Sequence, residues 1–308
     1  MEMNEAVGAI DLGTNTARLL IGSCHKGKID QQFIMRRITR LGGGFSSETG
    51  ISDEARHRSL QTMQEFAIKL REYGVKRLRA VATSAVRDAA NGDLFCREVL
   101  QETGINLEVI DGDCEGVLTL RGVMAGLDNV PENLLVFDVG GGSTEYTLAR
   151  GGDSLFCVSL PLGVVRLTEG KPDMAAMADK IDRELSRLKK MLIGNGLLDA
   201  AKGAVTVGTA GTATTLAAIS MKMSDYDYRK VNNYCVSLDE IESIFSLLLP
   251  MSPENRLKVP GMEKGREDLI IAGTLLTLKT LACFGSGMLK VSDFGLLEGV
   301  LLSVCDNS

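Results

Sequence analysis

Two short apolar strands, each ending in an acid, turning at once through glycine and running back as a second strand, recur a half-chain apart. No other feature restricts the fold as strongly. The first is Val7 to Asp11, then Leu12-Gly13-Thr14-Asn15, with Thr16 to Ser23 resuming as a strand and Gly13 at the bend of the hairpin. The second is Leu134 to Asp138, then Val139-Gly140-Gly141-Gly142-Ser143, with Thr144 to Ala149 returning. In each, a carboxylate ends the strand and could hold a divalent cation, while glycine's free φ would let consecutive amides face a phosphate. Two such elements could face each other across a cleft. A third element fits them: Ala204 to Gly208 reads as a strand entering Thr209-Ala210-Gly211-Thr212 and a small-residue helix, which points backbone N–H groups at an anion.

A chain of 308 residues is long for one core and suits two lobes. The echo places their boundary near residue 125, giving lobes 1–124 and 125–308. Between the glycine elements the pattern alternates strand and helix. Ser52 caps a helix carrying Ala55, Leu60, Met63, Phe66, Ala67 and Leu70 on one side; Leu78 to Thr83 is a strand, Ser84 to Asn91 a helix and Leu107 to Ile110 a strand. Further on, Met177 to Ile193 is an amphipathic helix with a solvated basic face. Leu238 to Leu249 and Glu267 to Leu281 are helical, Val291 to Phe294 is a strand, and a helix closes the chain.

Several function classes are excluded. There is no G-x-x-x-x-G-K-[ST] segment and no G-x-G-x-x-G after a strand, so neither a P-loop nor a dinucleotide site is supported. A net charge of −6 argues against nucleic acid or membrane bound through a broad basic surface. No apolar run reaches the length of a membrane span and no secretory leader is visible, which points to the cytoplasm. The seven scattered cysteines never form a C-x-x-C pair and read as reduced thiols. His25 and His57 are the only histidines and lie in polar segments, so carboxylates and arginines must carry the chemistry.

The three glycine elements together resemble the phosphate-binding elements of the actin, Hsp70 and sugar-kinase superfamily. Within it, Ile10-Asp11-Leu12-Gly13-Thr14-Asn15-Thr16-Ala17-Arg18 is similar to the opening motif of the exopolyphosphatase / guanosine pentaphosphate phosphatase family. Ala82 to Asn91, Val109 to Glu115, Phe137 to Glu145, Leu160 to Gly163, Gly208 to Thr212 and Arg266 to Ile270 resemble further signatures of that family, in the same order. The resemblance implies an α/β, two-lobed actin-like ATPase fold, a duplicated ribonuclease H-like unit, with the active site in the interdomain cleft. It also implies that Glu115 positions and deprotonates a water, while Asp11, Asp138 and Glu145 gather around Mg²⁺ or another divalent cation such as Mn²⁺.

Arg87 and Arg266, with Arg18, are candidates to grip phosphate oxygens, because guanidinium offers a matching fork and stays charged. Gly13, Thr14, Asn15, Gly140, Gly141, Gly142, Ser143, Gly208, Thr209 and Gly211 would add amide, hydroxyl or carboxamide contacts. A plainer reading makes Glu115 a helix-start acid favoured by the macrodipole and each arginine a surface ion pair. The chain departs from the family in reading Cys114-Glu115-Gly116-Val117, where members have a second acid before the glutamate and Ala-Arg after it. It also lacks the C-terminal helical extension of larger members.

The expected reaction is release of terminal orthophosphate from inorganic polyphosphate. The alternatives are hydrolysis of guanosine pentaphosphate, phosphotransfer by a superfamily kinase, and a non-catalytic sensor of guanosine tetraphosphate. Exposed apolar faces on the C-terminal helices suit a homodimer.

Overall fold

Strand β1 (Val7–Leu12) is buried along its whole length, so both of its faces must be covered. Ile10 and Leu12 enter one apolar cluster and Val7 and Ala9 another, the alternation that the two-residue period of a strand imposes. These positions come from a computed structural model that describes residues 5–25, 27–45, 49–171 and 173–306.

The chain forms two units, one running through Ala125 and resuming at Gly295, the other Gly126–Phe294. In the first, β1, β2 (Thr16–His25) and β3 (Lys28–Ile38) form an antiparallel meander. Helix α1 (Asp53–Glu72) follows, its first turn fixed by the Ser52 hydroxyl accepting from the Ala55 N–H at 3.3 Å. Then come β4 (Arg77–Ala82), α2 (Ser84–Arg87), α3 (Gly92–Thr103), β5 (Leu107–Val109) and α4 (Gly112–Gly126). Strands β4 and β5 add parallel to β1, giving the order β3-β2-β1-β4-β5.

The second unit repeats this plan. Strands β6 (Asn133–Val139), β7 (Thr144–Arg150) and β8 (Asp153–Leu160) are its meander, followed by α5 (Val164–Gly170), α6 (Met174–Gly194) and α7 (Leu198–Lys202). Next are β9 (Val205–Thr209), α8 (Ala210–Ser220), α9 (Tyr228–Val231), β10 (Cys235–Ser237), α10 (Leu238–Leu248), α11 (Pro253–Arg256), α12 (Ile270–Phe284) and β11 (Met288–Val291). The sheet order β10-β11-β9-β6-β7-β8 contains the first unit's five-strand plan with β10 added at the edge. The internal echo in sequence is therefore a duplication of topology. Tyr146 of β7 is fully buried, stacks on Phe137 of β6 and shares a 2.7 Å hydrogen bond with Thr280.

Four sequence expectations change. Helix α13 (Leu296–Asp306), expected in the second lobe, packs on β1, β2 and β4 of the first unit, so residue 125 marks only one of two crossings between units. Its seat is a backbone-to-backbone approach: a Cβ on Gly122 would stand 1.9 Å from the Gly295 carbonyl oxygen, and one on Gly299 1.8 Å from that of Leu118. Cys24 and Cys305 are joined as a disulfide rather than reduced, because α13 returns against β2. The expected strand at Val291 to Phe294 is β11, ending at Val291. The Ser84 to Asn91 helix stops at Arg87, and Gly92, where a Cβ would lie 2.2 Å from the Val86 carbonyl oxygen, opens α3. Strands β3 and β8 were not expected. No helix among the described residues is long and apolar enough to cross a membrane.

Candidate active site

In the first unit, the β1–β2 turn is closed by the Gly13 N–H donating to the Thr16 carbonyl at 3.0 Å. Asp11, 7% exposed, faces Arg18 across the hairpin, and Arg18 donates from Nη2 at 2.7 Å and Nε at 3.1 Å to Asp11 Oδ2. Arg18 thus holds an acid of the turn. The Thr14 hydroxyl meets that of Ser84 at 3.0 Å, tying the turn to the start of α2. Asn15 is 4% exposed and its Oδ1 is buried without a hydrogen-bond partner. An orphaned buried acceptor costs about 1–3 kcal/mol, so it calls for a donor such as a bound water.

Glu115 and Arg87, 28 residues apart, come together: Arg87 Nη1 lies 3.4 Å from Glu115 Oε2 and donates to the Ile110 carbonyl at 2.9 Å. Glu115 sits in the first turn of α4, 7% exposed. The helix-start reading of this acid loses force, because Asp111 Oδ1 accepts the Cys114 N–H at 2.8 Å and so caps α4.

In the second unit, four consecutive strands carry a single row. Asp138 of β6 is in register with Thr209 of β9 on one side and Glu145 of β7 on the other, and Glu145 with Ser159 of β8. The Ser159 hydroxyl donates to Glu145 Oε1 at 2.7 Å, and the Thr209 hydroxyl donates to the Phe294 carbonyl at 3.1 Å. Asp138 and Glu145 are 8% and 2% exposed. Like charges directly opposite on a sheet repel, so two buried acids side by side are suited to a cation between them.

Beyond Asp138, the Gly140 N–H donates to the Ser143 carbonyl at 3.0 Å and closes the glycine turn. Gly163 backs onto it, since a Cβ there would lie 2.1 Å from the Gly141 carbonyl oxygen; the Val164 and Val165 N–H groups donate to the carbonyls of Gly140 and Gly141, both at 3.0 Å. At the start of α8 the Arg266 guanidinium lies flat on Gly211, where a Cβ would stand 2.1 Å from its Cζ. An anion meeting the first-turn amides of α8 would meet that guanidinium too.

The glycines act differently from expectation. Gly13, Gly140, Gly208 and Gly211 have no left-handed φ. Their value is space: Gly208 is pressed by Leu289, Ala213 and Phe137, and Gly211 by Arg266. The left-handed residue of the third element is Ala210, at φ 62. A non-glycine there costs of order 1–2 kcal/mol, the kind of strain that gathers at functional turns.

The three predicted metal acids are divided between the two units. Asp138 and Glu145 stand together, Asp11 is bound by Arg18, and no group of three His, Cys, Asp or Glu among the described residues is arranged as a metal cage. The donors still fit a hard cation: two adjacent carboxylates suit Mg²⁺, which keeps several of its waters. Sequence reasoning missed three supporting residues. Asp111 and Ser84 lie inside recognised motifs and could have been found there; Ser159 carries no signal until the β7–β8 register is known.

Residues 20–308 match the Ppx/GppA phosphatase family. The chain is 31% identical to exopolyphosphatase 2 of Mycobacterium tuberculosis, covering 97% of this chain and 98% of that one. It is 30% identical to a bifunctional 3-dehydroquinate synthase/phosphatase of Fusobacterium nucleatum, of which it spans 46%. Among solved structures, a PPX-GPPA enzyme of Aquifex aeolicus is 33% identical with a TM-score of 0.79, covering 97% of this chain and 99% of that one. An exopolyphosphatase of Cytophaga hutchinsonii is 27% identical with a TM-score of 0.89, covering 98% of both.

Proposed function

The chain belongs to the Ppx/GppA phosphatase family, and on that premise we propose that it is a divalent-metal-dependent exopolyphosphatase, releasing orthophosphate from the end of inorganic polyphosphate. The observation that carries this reading is Glu115: a buried carboxylate relieved of helix capping by Asp111 and held beside a guanidinium. A protein that only bound its anion would have little use for such an acid. The full-length likeness to proteins named exopolyphosphatase favours polyphosphate over guanosine pentaphosphate.

In this reading Arg87, beside Glu115 in the first unit, neutralises charge on the oxygens of the terminal phosphate. In the second unit the backbone amides of the Gly140 to Ser143 turn and of the first turn of α8, with Arg266, are groups suited to phosphate oxygens. Glu115 Oε accepts a proton from a water, whose oxygen bonds to the terminal phosphorus as the bond to the bridging oxygen breaks. Orthophosphate and a chain one phosphate shorter leave. Asp11, kept in place by Arg18, lines the first turn with Thr14 and Asn15, and the Asn15 carboxamide oxygen accepts from an ordered water. Asp138 and Glu145 would hold a divalent cation, which when bound supplies positive charge to the phosphate oxygens. Ser159 fixes the Glu145 carboxylate by its hydrogen bond.

The test is orthophosphate release from long-chain polyphosphate, tripolyphosphate and guanosine pentaphosphate, with Mg²⁺, with Mn²⁺ and with chelator. Metal-dependent release from the long chain supports the proposal. Release confined to guanosine pentaphosphate, or polyphosphate shortened only when an acceptor is supplied and without release of orthophosphate, would sink it.

A further inference from the structure

The Asn15 carboxamide of the first glycine turn is weakly anchored. It is 4% exposed, its Oδ1 has no hydrogen-bond partner, and its Nδ2 reaches only the Thr16 hydroxyl, at 3.5 Å, the long limit for such a bond. One marginal contact does not decide which way a carboxamide faces, and turned over it presents an oxygen where it had presented a nitrogen. A phosphate oxygen is attracted by the nitrogen and repelled by the oxygen. Whatever fixes that orientation therefore decides whether Asn15 helps or hinders an anion at this turn.

A second orphaned atom stands opposite. Strands β2 and β3 pair as far as Thr16 and Ile38, and one residue beyond, the Thr39 N–H donates to the Asn15 carbonyl at 3.1 Å. Residues directly opposite in an antiparallel ladder share a face, with Cβ atoms about 5 Å apart. Thr39 is 1% exposed, and its hydroxyl too has no hydrogen-bond partner. The two side chains do not bond each other, yet one water spans oxygens up to about 5.6 Å apart. Buried orphans on facing residues are the setting in which such a water is held, since leaving both unanswered is costly. The Thr39 backbone is itself pinned, with its N–H on Asn15 and its carbonyl accepting from Arg58 Nε of α1 at 3.1 Å. The buried Ser59 and Thr119 hydroxyls also lack partners, but both lie in helices, where a hydroxyl can turn to the carbonyl four residues back. Thr39 follows a strand and has no such carbonyl beneath it.

We propose that Thr39 is a positioning residue for Asn15. Its hydroxyl and Asn15 Oδ1 share one buried water, which donates to the carboxamide oxygen and leaves Nδ2 as the group offered to a phosphate oxygen. The inference rests on the proposed function, which gives Asn15 an ordered water, and deepens it by naming what holds that water. Thr39 touches no substrate and acts through Asn15 alone. Its effect belongs to the binding of a terminal phosphate, whichever molecule carries it.

Thr39→Val keeps the shape and removes the hydroxyl, and Thr39→Ser keeps the hydroxyl. Phosphate release from long-chain polyphosphate is measured for both, for Asn15→Ala, and for Asn15→Ala combined with Thr39→Val. We expect Thr39→Val to raise KM about tenfold, the scale of one hydrogen bond, with kcat within about twofold of wild type. Thr39→Ser should recover most of that loss. Where Asn15 is already alanine, Thr39→Val should change KM by less than about twofold, because the group it positions is gone. A packing role alone gives equal losses in the two backgrounds; that result, or a Thr39→Ser variant as poor as Thr39→Val, overturns the proposal. A crystal structure of the wild-type protein gives a reading independent of turnover and of how the variants fold. A water within about 3.2 Å of both oxygens is expected, and the two side chains bonded to separate partners overturn it. Should wild type release no phosphate from polyphosphate, the proposed function fails, while the crystal structure, and the same variants assayed on guanosine pentaphosphate, still decide on Thr39.

Discussion

Replacing Glu145 by glutamine should stabilise the metal-free protein while removing its response to metal. Asp138 and Glu145 are cross-strand partners, both under 10% exposed, so their Cβ atoms are about 5 Å apart. Two like charges at that separation repel by about 3 kcal/mol at an effective dielectric constant near 20, and by about 1 kcal/mol in water. Glutamine keeps the shape, keeps an oxygen for the Ser159 hydroxyl and offers Asp138 a donor. In chelator the variant should therefore be more stable than wild type by about 1–3 kcal/mol, raising Tm by about 2–12 °C for a unit of this size. At a Mg²⁺ concentration of about a hundred times Kd, wild type gains about 2.7 kcal/mol and the variant almost nothing, so the variant's advantage is cancelled or reversed. Thermal unfolding in EDTA and in MgCl₂ reads both numbers. A variant less stable than wild type in EDTA, or one with an undiminished Mg²⁺ response, would refute the placement of the cation at this pair.

Three further outcomes are expected. Gly211→Ala meets only the end of the flexible Arg266 side chain; stability should change by less than about 1 kcal/mol while KM for polyphosphate rises at least about tenfold, read by parallel unfolding and kinetics. Gly122→Ala meets the backbone of Gly295 instead, so α4 and α13 must part, at a cost of about 3 kcal/mol visible in urea unfolding. Arg79 grips Glu108 through two hydrogen bonds, at 2.9 and 3.0 Å, and holds its carboxyl below the usual carboxylate range despite partial desolvation. Because the folded value is the lower one, this pair's contribution is complete above the unfolded pKa of about 4.3 and fades as pH falls through the folded value. Glu108→Gln should flatten the urea midpoint across that acid window, and an unchanged profile would exclude the pair as its source.

Much of the site was legible because its signals are local. Asp11, Asp138 and their turns announce themselves as an acid followed by glycine after an apolar strand, and the recurrence of that pattern gave the duplication. The ordered motifs placed Glu115 and Arg87 in one chemistry before the 3.4 Å approach was visible. What was not legible depends on register or on distant packing. Strand β3 has only half-buried and exposed residues, so it shows no continuous apolar run, and the third strand of the first meander cannot be foreseen from it. Ser159 was hidden in the same way by β8. Helix α13 is apolar on most sides, and nothing in its composition says which unit it covers; the closeness of Gly122 to Gly295 decides that. The Cys24–Cys305 pairing, 281 residues apart, follows from the same return of the chain. The glycine turns were located correctly but explained by the wrong property, since close approach rather than positive φ selects glycine at 13, 140, 208 and 211.

The most direct measurement is single-turnover phosphate release by Glu115→Gln on long-chain polyphosphate at saturating Mg²⁺, with polyphosphate binding measured on the same sample. Glutamine keeps the side chain's size beside Arg87 and removes only its capacity to take a proton. We expect binding within about twofold of wild type and a rate lower by at least a hundredfold, within the roughly 10²–10⁴ range for a general base. A variant that binds normally and turns over at the wild-type rate would contradict the assignment of Glu115 as the group that activates water.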